Sequence, residues 1–133
     1  MDSGKFINSE NIVRNLQAKT QWQAIDELMD NLVATGKVRP EHRDALCEAV
    51  KERERSMTTA IGDGVAIPHA TTTLVDDVVS ALGKSQEGVR FAAIAPVHLV
   101  ILFLVPKGQF QKHLQTLASI AKALQEKGFR ENI

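Results

Sequence analysis

Few side chains in this chain can do chemistry, so their positions matter. The sequence holds four histidines, His42, His69, His98 and His113, and a single cysteine, Cys47. Near neutral pH one nitrogen of an imidazole is unprotonated, and a hydrogen bond on the other fixes the tautomer. Such a ring can act as a nucleophile and carry a phosphoryl group. His69 is the first candidate. It follows Pro68 at the end of IGDGVAIPHA, where Gly62, Gly64, Ala66 and Ala70 are small enough for a bulky partner to reach the ring. Pro68 fixes its own φ and biases Ile67 toward extended geometry, which predicts that the strand through Val65-Ala66-Ile67 stops and turns at His69. A structural or surface histidine is the plainer alternative.

A transferred phosphoryl group spreads negative charge over its oxygens and calls for a cation, best supplied by an arginine fork. Arg53 and Arg55 precede the His69 region in the charged run KERER, which reads equally well as a solvated helix end. His113 opens the last helical segment and, four residues before Leu117, is expected to share that helix's buried side. Other chemistries lack their patterns. No two histidines fall within one helical turn and there is no cysteine pair, so neither a zinc nor a haem site is signalled, and no metal or cofactor is expected. The GDG at positions 62–64 matches neither phosphate-loop spacing. Cys47 reads as a small apolar helix residue.

These candidates need a scaffold, and 133 residues suffice for one domain with its own core. Basic and acidic residues balance at 16 each, which removes the positive field on which nonspecific nucleic-acid or anionic-membrane binding relies. The N-terminal stretch MDSGKFINSE lacks the pattern of a signal peptide, and the apolar run Val97 to Val105 is too short to cross a bilayer. With one cysteine excluding an internal disulfide, the expectation is a soluble cytoplasmic protein without membrane insertion.

Asn11 to Leu16 reads as a short strand. Thr20 and Gln23 form a capping box that opens a helix with Trp22, Ile25, Leu28, Met29, Leu32 and Val33 at helical spacing, closed by Gly36. Pro40 suits the first turn of a second helix, bearing Leu46, Ala49 and Val50. Thr59-Ala60-Ile61 and Val65-Ala66-Ile67 flank the glycines as a hairpin would, and Val78 to Leu82 reads as a strand ending at Gly83. Val97 to Val105 is apolar on both parities, as in a strand covered on both faces. KHLQTLASIAKAL, with Leu114, Leu117, Ala121 and Leu124, reads as an amphipathic helix. The mixture predicts an α+β fold, a three-layer α/β/α sandwich with a mixed β-sheet.

The combination of RERSMTTAIGDGVAIPHA with the downstream KHLQTLASIAKAL resembles the type-2 EIIA domains of the phosphoenolpyruvate-dependent phosphotransferase system, the fructose, mannitol and nitrogen-regulatory EIIA proteins. The signature falls on Arg53-Glu54, Thr59, Ile61-Gly62, Gly64 and Ala66-Ile67-Pro68-His69, and the resemblance extends over nearly the whole chain. It implies that His69 is the phosphorylated nucleophile, that His113 orients or charge-stabilises, that Arg53 binds the phosphoryl oxygens, and that Thr59 contributes to substrate binding. It further implies an HPr-type phosphocarrier as donor and an EIIB cysteine as acceptor, in fructose-type uptake or nitrogen-type regulation. Ala60 stands where the family often has glycine. Residues 1–133 are expected to form a single EIIA domain lacking its last C-terminal helix. The alternative is a noncatalytic interaction domain of the same fold, as in anion-exchanger cytoplasmic domains.

Overall fold

A computed structural model of the chain describes residues 8–62, 64–91 and 96–124. Helix α1 (Gln21–Ala34) begins where the capping box places it. Thr20 Oγ1 accepts from Gln23 N–H, and Gln23 Oε1 accepts from Lys19 N–H, one residue earlier than the standard return bond. Its apolar stripe of Ala24, Ile25, Leu28, Met29 and Leu32 is fully buried. Gly36, at φ +78°, completes the exit. Pro40 opens a short 3-10 turn, Pro40–His42, that leads into α2 (Arg43–Ser56).

The strands are β1 (Ile12–Val13), β2 (Ala60–Gly62), β3 (Val65–Ala66), β4 (His69–Thr72), β5 (Val79–Val89) and β6 (Val97–Pro106), and the last helix is α3 (Phe110–Leu124). The sheet order is β1-β5-β6-β3-β2, with β4 also paired to β6. β5 and β6 are antiparallel, as are β2 and β3, whereas β1–β5, β3–β6 and β4–β6 are parallel, so the sheet is mixed. On β6 the two parities face two cores. Val100, Leu102 and Leu104 pack with α1 and α2, while Leu99, Ile101, Phe103 and Val105 pack with Ile120 of α3. That is the three-layer sandwich, and the double-faced apolar pattern of β6 is its cause.

Three local expectations are corrected. The first strand is only Ile12–Val13, because Asn11 turns in a 3-10 segment where its side chain donates to Asn31 Oδ1 and Thr35 Oγ1. β5 does not end at Gly83 but runs through it to Val89. A Cβ at Gly83 would lie 3.0 to 3.1 Å from the methyls of Leu16 and Leu28, so this glycine admits close packing instead of ending the strand. Nor does Pro68 turn the chain. One register along β6 continues from β3 (Val65 opposite Leu99) to β4 (His69 opposite Phe103), with Phe103 N–H bonded to Pro68 O across the interruption. Proline removes a donor from the ladder without redirecting the strand.

Candidate functional site

The interruption at Ile67-Pro68 positions the histidine. Ile67 N–H is taken by Thr59 O at 3.1 Å, and Ile67 O accepts from His69 Nδ1 at 2.9 Å. A carbonyl oxygen only accepts, so Nδ1 carries the proton and Nε2 holds the lone pair. The ring stacks on Phe110, the first residue of α3, with centroids 5.7 Å apart and an interplanar angle of 22°. Burial pushes the His69 pKa below 6.5. The Ile67 carbonyl opposes that shift, the positive charge of Arg53 adds to it, and the negative charge of Glu54 opposes it. The ring is therefore neutral at pH 7.

His69 opens into a cavity of about 350 Å³ lined by Ala49, Arg53, Ala70, Thr71 and Phe110. The small side chains of Ala49 and Ala70 leave that space, and α2 supplies its cation. Arg53 donates through Nη1 to Met57 O at 3.1 Å, which holds the guanidinium against the end of α2. The guanidinium has further donors for an anion. Arg55, two residues on, points elsewhere: it pairs with Glu48 and Glu52 and lies over the Trp22 ring at 5.8 Å. The structure thus separates the two arginines of KERER into one that faces the histidine and one that joins α2 to α1.

Thr59 is 5% exposed and does not line the cavity; its hydroxyl donates to Glu54 Oε1 at 2.6 Å. His113 lies on the first turn of α3, one turn after Phe110, and its side chain lies outside the described residues. Two contributors escaped the sequence reading. Phe110 carries no chemical signature, and only the docking of α3 brings it over His69. Glu54 sits in a run that reads as solvent-facing, yet it is 3% exposed. The arginine-glutamate pair in the motif was its only trace. Among the described residues no cluster of three His, Cys, Asp or Glu side chains can hold a metal ion, and no helix is long and apolar enough to cross a membrane.

The arrangement offers a neutral imidazole with a defined free nitrogen, a cation beside it and space for a tetrahedral anion. The comparisons with known proteins agree with that chemistry. Residues 5–133 match the model of the family described as phosphoenolpyruvate-dependent sugar phosphotransferase system, EIIA 2. The chain is 37% identical over 116 residues to the PTS system fructose-specific EIIA component of Haloferax volcanii, covering 86% of this chain and 74% of that one. The crystal structure of the nitrogen regulatory protein IIA-Ntr from Neisseria meningitidis superposes with a TM-score of 0.82 at 27% identity, covering 96% of this chain and 87% of that one. The mannitol enzyme IIA of Escherichia coli, solved in complex with its phosphorylated enzyme IIB, superposes with a TM-score of 0.72 at 28% identity, over 91% and 83% of the two chains. The chain belongs to the type-2 EIIA family of the phosphoenolpyruvate-dependent sugar phosphotransferase system.

Proposed function

We propose that this protein is a phosphoryl relay in which His69 Nε2 is the carrier atom. The observation that carries the reading is the bond from His69 Nδ1 to Ile67 O within the cavity that Arg53 lines. In the first step the Nε2 lone pair attacks the phosphorus of a phosphohistidine on an HPr-type carrier. A new N–P bond forms, the donor's N–P bond breaks, and its electron pair returns to the donor ring. In the second step the thiolate of an EIIB cysteine attacks the same phosphorus, an S–P bond forms, and the pair returns to His69 Nε2. Arg53 neutralises the charge that the phosphoryl oxygens bring in both steps, which is where most of the stabilisation in such transfers arises. His113 adds a second positive or donor group from α3. No metal is needed, since the incoming phosphoryl group is already activated.

An EIIB acceptor is supported by the mannitol enzyme IIA, solved with phosphorylated enzyme IIB. The fructose-specific and nitrogen-regulatory relatives support two settings, sugar uptake and regulation, both in the cytoplasm where phosphoenolpyruvate is made. A binding-only domain of this fold would have no use for a desolvated histidine with a fixed tautomer beside a cation, so the relay is preferred. The test is to incubate the protein with phosphoenolpyruvate, enzyme I and HPr and weigh it intact. A gain of one phosphoryl group that disappears in His69→Ala is expected; no gain with any cognate carrier would sink the relay.

A further inference from the structure

Glu54 is a buried carboxylate next to the site, and the hydrogen bonds described for it all come from donors on Thr59 and Gln21. Thr59 N–H reaches its two oxygens at 3.2 and 3.1 Å, Thr59 Oγ1–H reaches Oε1 at 2.6 Å, and Gln21 Nε2 reaches Oε2 at 3.3 Å. The hydroxyl contact has the length of a charge-assisted bond. Thr59 does not end there, because its own carbonyl accepts from Ile67 N–H at 3.1 Å, and Ile67 O in turn accepts from His69 Nδ1 at 2.9 Å. An unbroken path of hydrogen bonds therefore runs from α1 (Gln21) through α2 (Glu54), the β2 entry (Thr59) and the β3–β4 junction (Ile67) to the imidazole.

We propose that Glu54 is a positioning residue for His69: by fixing Thr59 it fixes the Ile67 peptide, and the Ile67 carbonyl then holds the imidazole in the Nδ1–H tautomer with Nε2 directed at the phosphoryl group. Thr59 is the intermediate element of this device and acts through its backbone carbonyl, with its hydroxyl and N–H serving as the handle that Glu54 grips. The reason a carboxylate is required is geometric. Two acceptor oxygens meet three donors, and because the Thr59 N–H reaches both oxygens, an amide in the same place would set its NH2 against that N–H in either orientation. Apolar burial does not replace it, since the polar hydrogens of Thr59 would then be left without partners.

The proposal rests on the relay reading for its purpose but not for its readout. The experiment uses the full chain with 15N-labelled histidine and compares wild type with Glu54→Gln, Thr59→Val and Thr59→Ser. In wild type the two His69 ring nitrogens should resonate as a single Nδ1–H tautomer. In Glu54→Gln and Thr59→Val they should move toward the averaged positions of exchanging tautomers, and single-turnover transfer from phosphorylated HPr should fall about tenfold, the order of one net hydrogen bond. Thr59→Ser, which keeps the hydroxyl, should restore both. If Glu54→Gln does not fold, the Thr59 pair decides. A control, Glu27→Gln, removes a different helix carboxylate that grips the Gln17 and Ala18 amides at 2.9 to 3.0 Å, and should move neither readout. Unchanged His69 resonances in a folded Glu54→Gln or Thr59→Val, or equal changes in Glu27→Gln, overturn the proposal. A wild type that accepts no phosphoryl group refutes the relay while the tautomer comparison still stands.

Discussion

His69, opposite Phe103 of β6, and His98, near the start of that strand, each donate from Nδ1 to a backbone carbonyl at 2.9 Å, Ile67 O in the first case and Ser85 O in the second. Both are half-buried, and in both the bond to a carbonyl oxygen, which can only accept, places a proton on Nδ1. Their positions on β6 lie five residues apart, roughly 16 Å along a strand. What separates them is company. His69 has a cavity, a guanidinium and an aromatic ring over its face. His98 lies against the backbone of Gly88, where a Cβ would come within 3.3 Å of its Cε1, and it lines neither described cavity. A fixed tautomer makes a histidine orderly, and a cation with room beside it makes the histidine useful.

The strongest way to break this comparison is to remove each ring in turn. His69→Ala should abolish phosphoryl acceptance and leave the fold intact, because it empties a site that is already open. His98→Ala should accept phosphate at the wild-type rate and lose about 1 kcal/mol of stability, as expected for one carbonyl deprived of its donor. Transfer rates from phosphorylated HPr, together with thermal melts of both variants, check it. A His98→Ala protein that no longer transfers would show that the two histidines are not functionally distinct.

Arg53 is the next largest difference between the two environments. Arg53→Ala should slow single-turnover transfer roughly 100-fold, the effect of losing one preorganised donor to a developing anion. Arg53→Lys should recover part of that loss, since an ammonium supplies charge without the fork. Stability should change little, because among the described residues the structural bond at stake is the one to Met57 O at the rim. Equal rates in wild type and Arg53→Ala would remove the arginine from the site and leave His69 resembling His98.

How much of this contrast could be read in advance follows from which interactions are local. The capping box at Thr20 and Gln23 and the double-sided apolar pattern of β6 are consequences of neighbouring residues, and both appear as expected. The pairing of His69 with Arg53 in one cavity was also legible, through the motif that contains them. β4 was not, since HATT has no apolar run and its strand character comes from the register it inherits along β6. Gly83 looked like a terminator because its packing against Leu16 and Leu28 is a tertiary fact. Glu54 was hidden for the same reason: its burial depends on α1 bringing Gln21 against the end of α2. Phe110 reads as one more apolar helix residue until α3 is docked.

Phe110 yields the finest test of the comparison. Burial is the main cause of His69's lowered pKa, and the stacked ring is part of that burial. Only the neutral imidazole accepts a phosphoryl group, so the transfer rate should stay level as pH falls from about 8 through 6.5 and decline only below that value. Phe110→Ala admits water to the ring and should move this acid limb up toward 6.5, with the alkaline plateau changing less. The same shift has a stability side. Above 6.5 both folded and unfolded His69 are neutral and contribute nothing; as pH falls through 6.5 the unfolded chain takes up a proton that the folded site resists, so stability declines until the folded pKa is reached. That slope should be present in wild type, shallower in Phe110→Ala and absent in His69→Gln, as measured by thermal melts across the acid range. A folded Phe110→Ala with an unmoved limb would mean that the strand edge, and not the aromatic lid, keeps water from the histidine.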